Sequence, residues 1–106
     1  MHLGAVDGAL SGARAVLLET AELIDANPRD DLSRETLRAR LVVEAAADAV
    51  MAHVTRALGA GPLCLDARFA RALADLPVFL RQSHAERDLA ALGEAMLKNG
   101  DDAWTL

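Results

Sequence analysis

Tyrosine is absent from this chain of 106 residues, and Phe69, Phe79 and Trp104 are its only aromatic residues. Strands favour aromatic and β-branched side chains, so this scarcity argues against a sheet. Cys64 is the single cysteine, which excludes an internal disulfide and fits a reducing compartment. Basic clusters are missing too: Lys98 is the only lysine, and 11 basic against 16 acidic residues leave a net charge of −5. Nucleic-acid phosphates demand clustered Lys and Arg, so a nucleic-acid partner is not expected. No apolar run approaches the length of a membrane span, and no charged-then-apolar leader opens the sequence. These absences predict a soluble, cytoplasmic protein of one domain with no membrane partner.

Alanine and leucine dominate what is present, with 23 and 18 residues in a chain that is 53% hydrophobic. Both lead the helix scale. Leu3, Val6, Leu10, Ala13, Leu17, Ala21 and Ile24 recur at steps of three and four, a helical stripe predicted to face inward. Asn27-Pro28 ends that helix, because proline disfavours helical dihedrals in the residue before it. Ser33 is placed to cap a second helix that stops at Gly59. Its two apolar strips, one from Ala39 through Val43 to Ala57 and one from Leu37 to Ala52, predict a central position or an oligomer contact.

Gly59-Ala60-Gly61-Pro62 reads as a loop. A third helix follows, with Leu65, Phe69, Ala72, Leu76 and Phe79 inward and Pro77 inside the pattern as a kink. Ser83-His84-Ala85-Glu86 has the form of a capping box opening a fourth helix, with Leu89, Leu92 and Met96 inward and Asn99-Gly100 closing it. The expected fold is all-α: an antiparallel up-down four-helix bundle with helices near 3–26, 33–58, 64–82 and 84–98 and a tail over 99–106.

The candidate sites are few. Gly4, Gly8 and Gly12 lie four apart on the first helix, and three helical glycines predict a face covered by a helix backbone, a planar ligand or a partner. His2, His53 and His84 show no metal-ligand spacing, so no metal is expected. His53 reads as a structural histidine beside the apolar stripe. His84, with Asp88 four residues on and Glu86 near, could act as an acid or base or could simply join surface ion pairs. Cys64 reads as a small core residue. No nucleophile triad, phosphate loop or dinucleotide glycine pattern occurs in the sequence.

The segment from Asp66 to Gly93, above all Arg81-Gln82-Ser83-His84-Ala85-Glu86-Arg87-Asp88, resembles the end of the C-terminal helical domain of acyl-CoA dehydrogenase-like flavoproteins. The likeness is to their divergent form, common in actinobacterial sequences. The opening Leu3-Gly4-Ala5-Val6-Asp7-Gly8-Ala9-Leu10 resembles the first helix of that domain, so the likeness covers roughly Leu3 to Leu97. It implies FAD chemistry on acyl-CoA or other acyl thioesters, with hydride passing from the acyl β-carbon to flavin. It also implies a homo-oligomer, and a flavin-binding partner chain supplying the N-terminal and β domains that this sequence lacks.

Arg81, Gln82 and His84 are the positions this resemblance places near flavin or substrate, in an assembled complex only. The family's glutamate base beside a Gly-Thr turn has no counterpart in Leu80-Arg81-Gln82-Ser83-His84, and Ala74 stands where an arginine usually precedes the aspartate, here Asp75. No catalytic base is therefore carried over, and the chain alone is expected to be inactive. The alternative is a non-catalytic helical-bundle module for interaction or oligomerisation.

Overall fold

The computed structural model of the chain describes residues 1–100, the side chain of Asn99 excepted. Regular structure among these residues is entirely helical, in five helices. The end of the expected tail, with Trp104, lies outside the described residues.

Helix α1 (His2–Ala26) and helix α2 (Ser33–Leu58) form a long antiparallel hairpin. The turn between them is tied by its own polar groups. Asn27 donates its backbone N–H and its side-chain amide to the Leu23 carbonyl, at 2.9 and 3.0 Å. Ser33 does not cap α2. Its hydroxyl donates to Asp31 Oδ1 at 2.6 Å, and its backbone N–H donates to the same oxygen at 3.0 Å. The carboxylate two residues upstream thus captures the serine before it can reach the helix amides. Those two hydrogen bonds from Ser33 hold the Asp31 carboxyl below its ordinary value.

The seam of the hairpin differs from the stripe predicted for α1. His2, Val6, Ala9, Ala13, Val16, Thr20 and Leu23 are buried or half-buried, whereas Leu3, Leu10, Leu17 and Ile24 remain 82%, 53%, 50% and 42% exposed. Both stripes step by threes and fours; they share Val6 and Ala13 and differ by one residue at the other positions, which turns the mean direction by about 70° around the helix. Periodicity cannot choose between them. Packing selects the smaller set: Ala13 on α1 and Ala39 and Ala46 on α2 are buried, and small side chains at a contact let helix axes approach closely. Thr20, also buried, satisfies its hydroxyl by donating to the Val16 carbonyl at 2.8 Å.

Gly59 closes α2 with a φ of +70°, a backbone that suits glycine alone. The predicted loop after it is instead helix α3 (Ala60–Leu65), and the expected helix over 64–82 is divided in two. Pro62 falls in the first turn of α3, where a missing N–H breaks no helical hydrogen bond. The division comes at Asp66, whose extended backbone ends α3. Its carboxylate accepts from the N–H groups of Arg68 and Phe69, at 3.0 and 3.1 Å, and so caps helix α4 (Ala67–Leu80). Pro77 is accommodated inside α4, within a turn of its end.

Helix α5 (Ala85–Asn99) starts without the expected capping box, and no side chain caps it. Ser83 is turned the other way, its Oγ 3.0 Å from the Leu80 carbonyl at the end of α4. Gly100 ends α5 in the left-handed conformation. Leu92 and Met96 are half-buried as expected, and Arg38 of α2 reaches Met96 Sδ at 3.7 Å.

Helix α2 is central, touching every other helix. Among the described residues α1 packs on α2 alone, and α4 and α5 do not pack on each other. The described residues thus form five helices centred on α2 rather than the four expected. Leu65, Ala72, Leu76, Phe79 and Leu89, all expected inward, are exposed, with none of the described helices packed over them. Cys64, expected in the core, is exposed as well.

Candidate functional site

Open clefts flank the hairpin. The first, about 220 Å³, lies where the start of α1 meets the end of α2, lined by His2, Leu3, Val6, His53, Val54, Ala57 and Leu58. Its polar atoms belong to two histidines that lie 51 residues apart in sequence. The antiparallel pairing brings them together, with Nδ1 of His2 3.0 Å from Nδ1 of His53. The ring centroids are 5.3 Å apart, with the planes inclined at 57°. The centroid separation exceeds the nitrogen separation by about the width of one imidazole. Each nitrogen therefore lies close to the line joining the ring centres, and the two lone-pair directions meet head-on.

That geometry is a near-linear N–H···N hydrogen bond in which one ring donates and the other accepts. It suits a shared proton better than a metal, whose two nitrogen ligands must converge on a third point rather than on each other. Among the described residues no group of three or more His, Cys, Asp or Glu could hold a metal ion. Sequence spacing treated the two histidines as separate. The signal that could have paired them is the antiparallel hairpin itself, which sets the first residue of one helix beside the last turns of the other.

The second cleft, about 420 Å³, opens between α1, α2 and α4 and is lined by Leu17, Arg40, Val43, Glu44, Phe79, Leu80 and Gln82. Arg40 and Glu44 form an ion pair one turn apart on α2, at 3.0 Å. Partial burial raises the Glu44 carboxyl, but hydrogen bonds from Ser83 and Arg40 and the Arg40 charge outweigh it and hold Glu44 below its ordinary value. The Ser83 hydroxyl has one proton, shared between this carboxylate and the Leu80 carbonyl. The cleft therefore carries one neutralised ion pair set in aliphatic and aromatic walls.

Of the residues singled out by the family resemblance, Gln82 lines the second cleft. Its side-chain amide donates to the Val78 carbonyl at 3.2 Å. Arg81 follows α4 directly and is exposed, and His84 precedes α5 and is exposed. The backbone N–H of Asp88 donates to the His84 carbonyl at 2.8 Å, while the two side chains make no hydrogen bond with each other. The α4–α5 turn thus gathers the three residues along the surface without aiming them at one point. The glycine face of α1 is open: a Cβ placed on Gly4, Gly8 or Gly12 would meet nothing within 4 Å.

No family model matches the chain, and no curated protein or solved structure matches it either.

Proposed function

We propose that the chain is a helical assembly module, a non-catalytic domain whose apolar faces are completed by another helical surface. One observation carries this reading. The accessible surface is 7994 Å², whereas a compact monomer of 11.2 kDa exposes about 5,700 Å². The radius of gyration, 16.7 Å, likewise exceeds the roughly 13 Å of a compact chain this long. The buried hydrophobic core is Ala13, Ala39, Leu41 and Ala46. So slight a core does little to offset the conformational entropy lost on folding. Completion of the bundle by a second helical surface would supply the missing burial. The test is the thermal midpoint across a hundredfold range of protein concentration, with a hydrophobic dye present. A midpoint that rises with concentration supports the module. A sharp, concentration-independent melt of a monomer that leaves the dye dark overturns it.

A second reading keeps the resemblance to acyl-CoA dehydrogenase-like flavoproteins, with this chain as a helical subunit. The observation favouring it is the solvent-open cleft that Gln82 lines, next to Arg81 and His84 on the α4–α5 turn. The described residues do not by themselves fit a flavin. No buried side-chain polar atom among them lacks a partner, and Gln82 commits its amide to Val78. FAD and an acyl thioester would therefore be held mainly by a partner chain. An absorbance spectrum between about 300 and 550 nm, with and without a co-expressed flavoprotein-like chain, decides it. Flavin bound by the pair and lost with R81A/H84A supports the subunit; a colourless pair ends it.

A further inference from the structure

We infer that the surface completing this fold is a second copy of the same chain, docked on the exposed leucine face of α1 so that two hairpins form one intermolecular four-helix bundle. The inference rests on the assembly reading and adds the partner and the face.

Leu3, Leu10, Leu17 and Ile24 follow one another at intervals of seven, the spacing that keeps a row of side chains against a neighbouring helix when the two wind gently around each other. All four are exposed. The row lies beside the seam with α2 rather than in it, so α1 presents two adjacent contact faces, one used within the chain and one free.

The length of the row selects the occupant. From Leu3 to Ile24 it runs about 32 Å at the helical rise. Phe79 of α4 shares a cleft with Leu17, but α4 has 14 residues and spans about 21 Å, too short to cover the row. A second α1, with 25 residues, covers it end to end.

The area agrees. Suppose the six residues beyond Gly100 had the full area of an unfolded chain. The described part would still expose roughly 1,600 Å² more than a compact monomer of its size. That excess lies on α3, α4 and α5 as well as on the row, at Leu65, Phe79 and Leu97 among others; buried in full on both copies it would remove about 3,200 Å², the range of obligate homodimers.

Charge sets the orientation. Asp7 and Arg14 border the row. In a parallel pair each would meet its own copy, like charge against like. In an antiparallel pair about a two-fold axis, Leu10 faces Leu17 and Leu3 faces Ile24; Asp7 is carried away from its copy, and Arg14, beside the axis, is the one charge left near its like. The contact is then self-complementary, as a closed two-fold dimer requires.

The experiment is sedimentation equilibrium with small-angle scattering on the full chain and on the variant L10E/L17E, helicity being followed by circular dichroism. The expected wild-type mass is twice 11.2 kDa, and the variant weakens association by about 100-fold or more while keeping its helices. Should the variant lose its helices, an Arg14→Cys substitution in a Cys64→Ser background replaces it. Position 14 sits beside the two-fold axis, so mild oxidation should link two chains, and failure to link them overturns the inference. A dimer untouched by L10E/L17E but dissolved by Phe79→Glu overturns the face and leaves the assembly reading standing. A monomer that keeps a radius of gyration near 16.7 Å overturns the second copy and again leaves that reading. A compact monomer near 13 Å that binds no dye overturns both.

Discussion

His2 and His53 face each other across 3.0 Å, Nδ1 to Nδ1, and so join the first residue of α1 to the last turns of α2. Both rings are half-buried, and the cleft beside them is otherwise aliphatic. No carboxylate or other cation lines that cleft; by helical spacing Arg56 is one turn further along α2, and the Met1 amino group adjoins His2. One ring must donate and the other accept, so neither imidazole makes the link alone.

A double-mutant cycle measures this link. His2→Ala, His53→Ala and the double variant, melted at pH 7.5, should give a coupling of about 0.5–1.5 kcal/mol. The same cycle with His53→Phe in place of His53→Ala, which keeps a flat ring without ring nitrogens, should give a coupling near zero. A coupling that survives with phenylalanine would show that the rings merely touch.

Acid should act through carboxylates. Asp31, Glu35 and Glu44 all sit below their ordinary values in the folded chain. For Glu35, partial burial raises the carboxyl, and the hydrogen bond from Arg34, at 2.8 Å, with the charges of Arg34 and Arg38 outweighs it. A carboxyl lowered on folding stabilises the fold above its unfolded value, and that stability is lost as pH falls through its folded value. Glu44→Gln should therefore flatten the decline in thermal midpoint below about pH 4.5, the ordinary carboxylate range. If the slope there matches the wild type, the ion pair with Arg40 contributes nothing on folding.

How far the sequence discloses the fold can be judged on α1 and Asp66. The helical class follows from alanine and leucine with almost no aromatic residues, and α1 and α2 end where Asn27-Pro28 and Gly59 stop them. The choice of seam does not follow, because two overlapping stripes on α1, sharing Val6 and Ala13, both have helical periodicity and only packing against α2 separates them. Asp66 carried a legible signal as an N-cap, yet the apolar pattern running on from Leu65 to Phe69 concealed the break. Ser83 and Ser33 were misdirected by motif form alone: each has a nearer acceptor, Leu80 O and Asp31 Oδ1. The histidine pair was hidden for a different reason. Proximity over 51 residues is a property of the hairpin, not of any local pattern.

The buried alanines predict a sharp intolerance of size. Ala13 and Ala46 lie in the hairpin core, where added methylenes force neighbouring side chains or backbone to shift. Ala13→Leu should cost about 1–3 kcal/mol in chemical denaturation, although leucine ranks close to alanine as a helix former. A variant as stable as wild type would mean that the leucine row, not the alanine seam, faces α2.

Glycine on α1 gives the converse case. Gly8 is helical and exposed, and a Cβ there would meet nothing within 4 Å. Gly8→Ala should therefore stabilise the chain by about 0.5–1 kcal/mol, the backbone entropy that glycine loses in a helix. Gly59→Ala should do the opposite, because its φ of +70° strains any residue with a Cβ. The sign at Gly8 also reports on assembly. The glycine face lies across α1 from the leucine row, so a dimer built on the row leaves it open and Gly8→Ala stabilises the dimer as it does the monomer. If Gly8→Ala instead lowers the thermal midpoint as protein concentration rises, a partner backbone lies against the glycines, and the contact between copies is on that side of the helix.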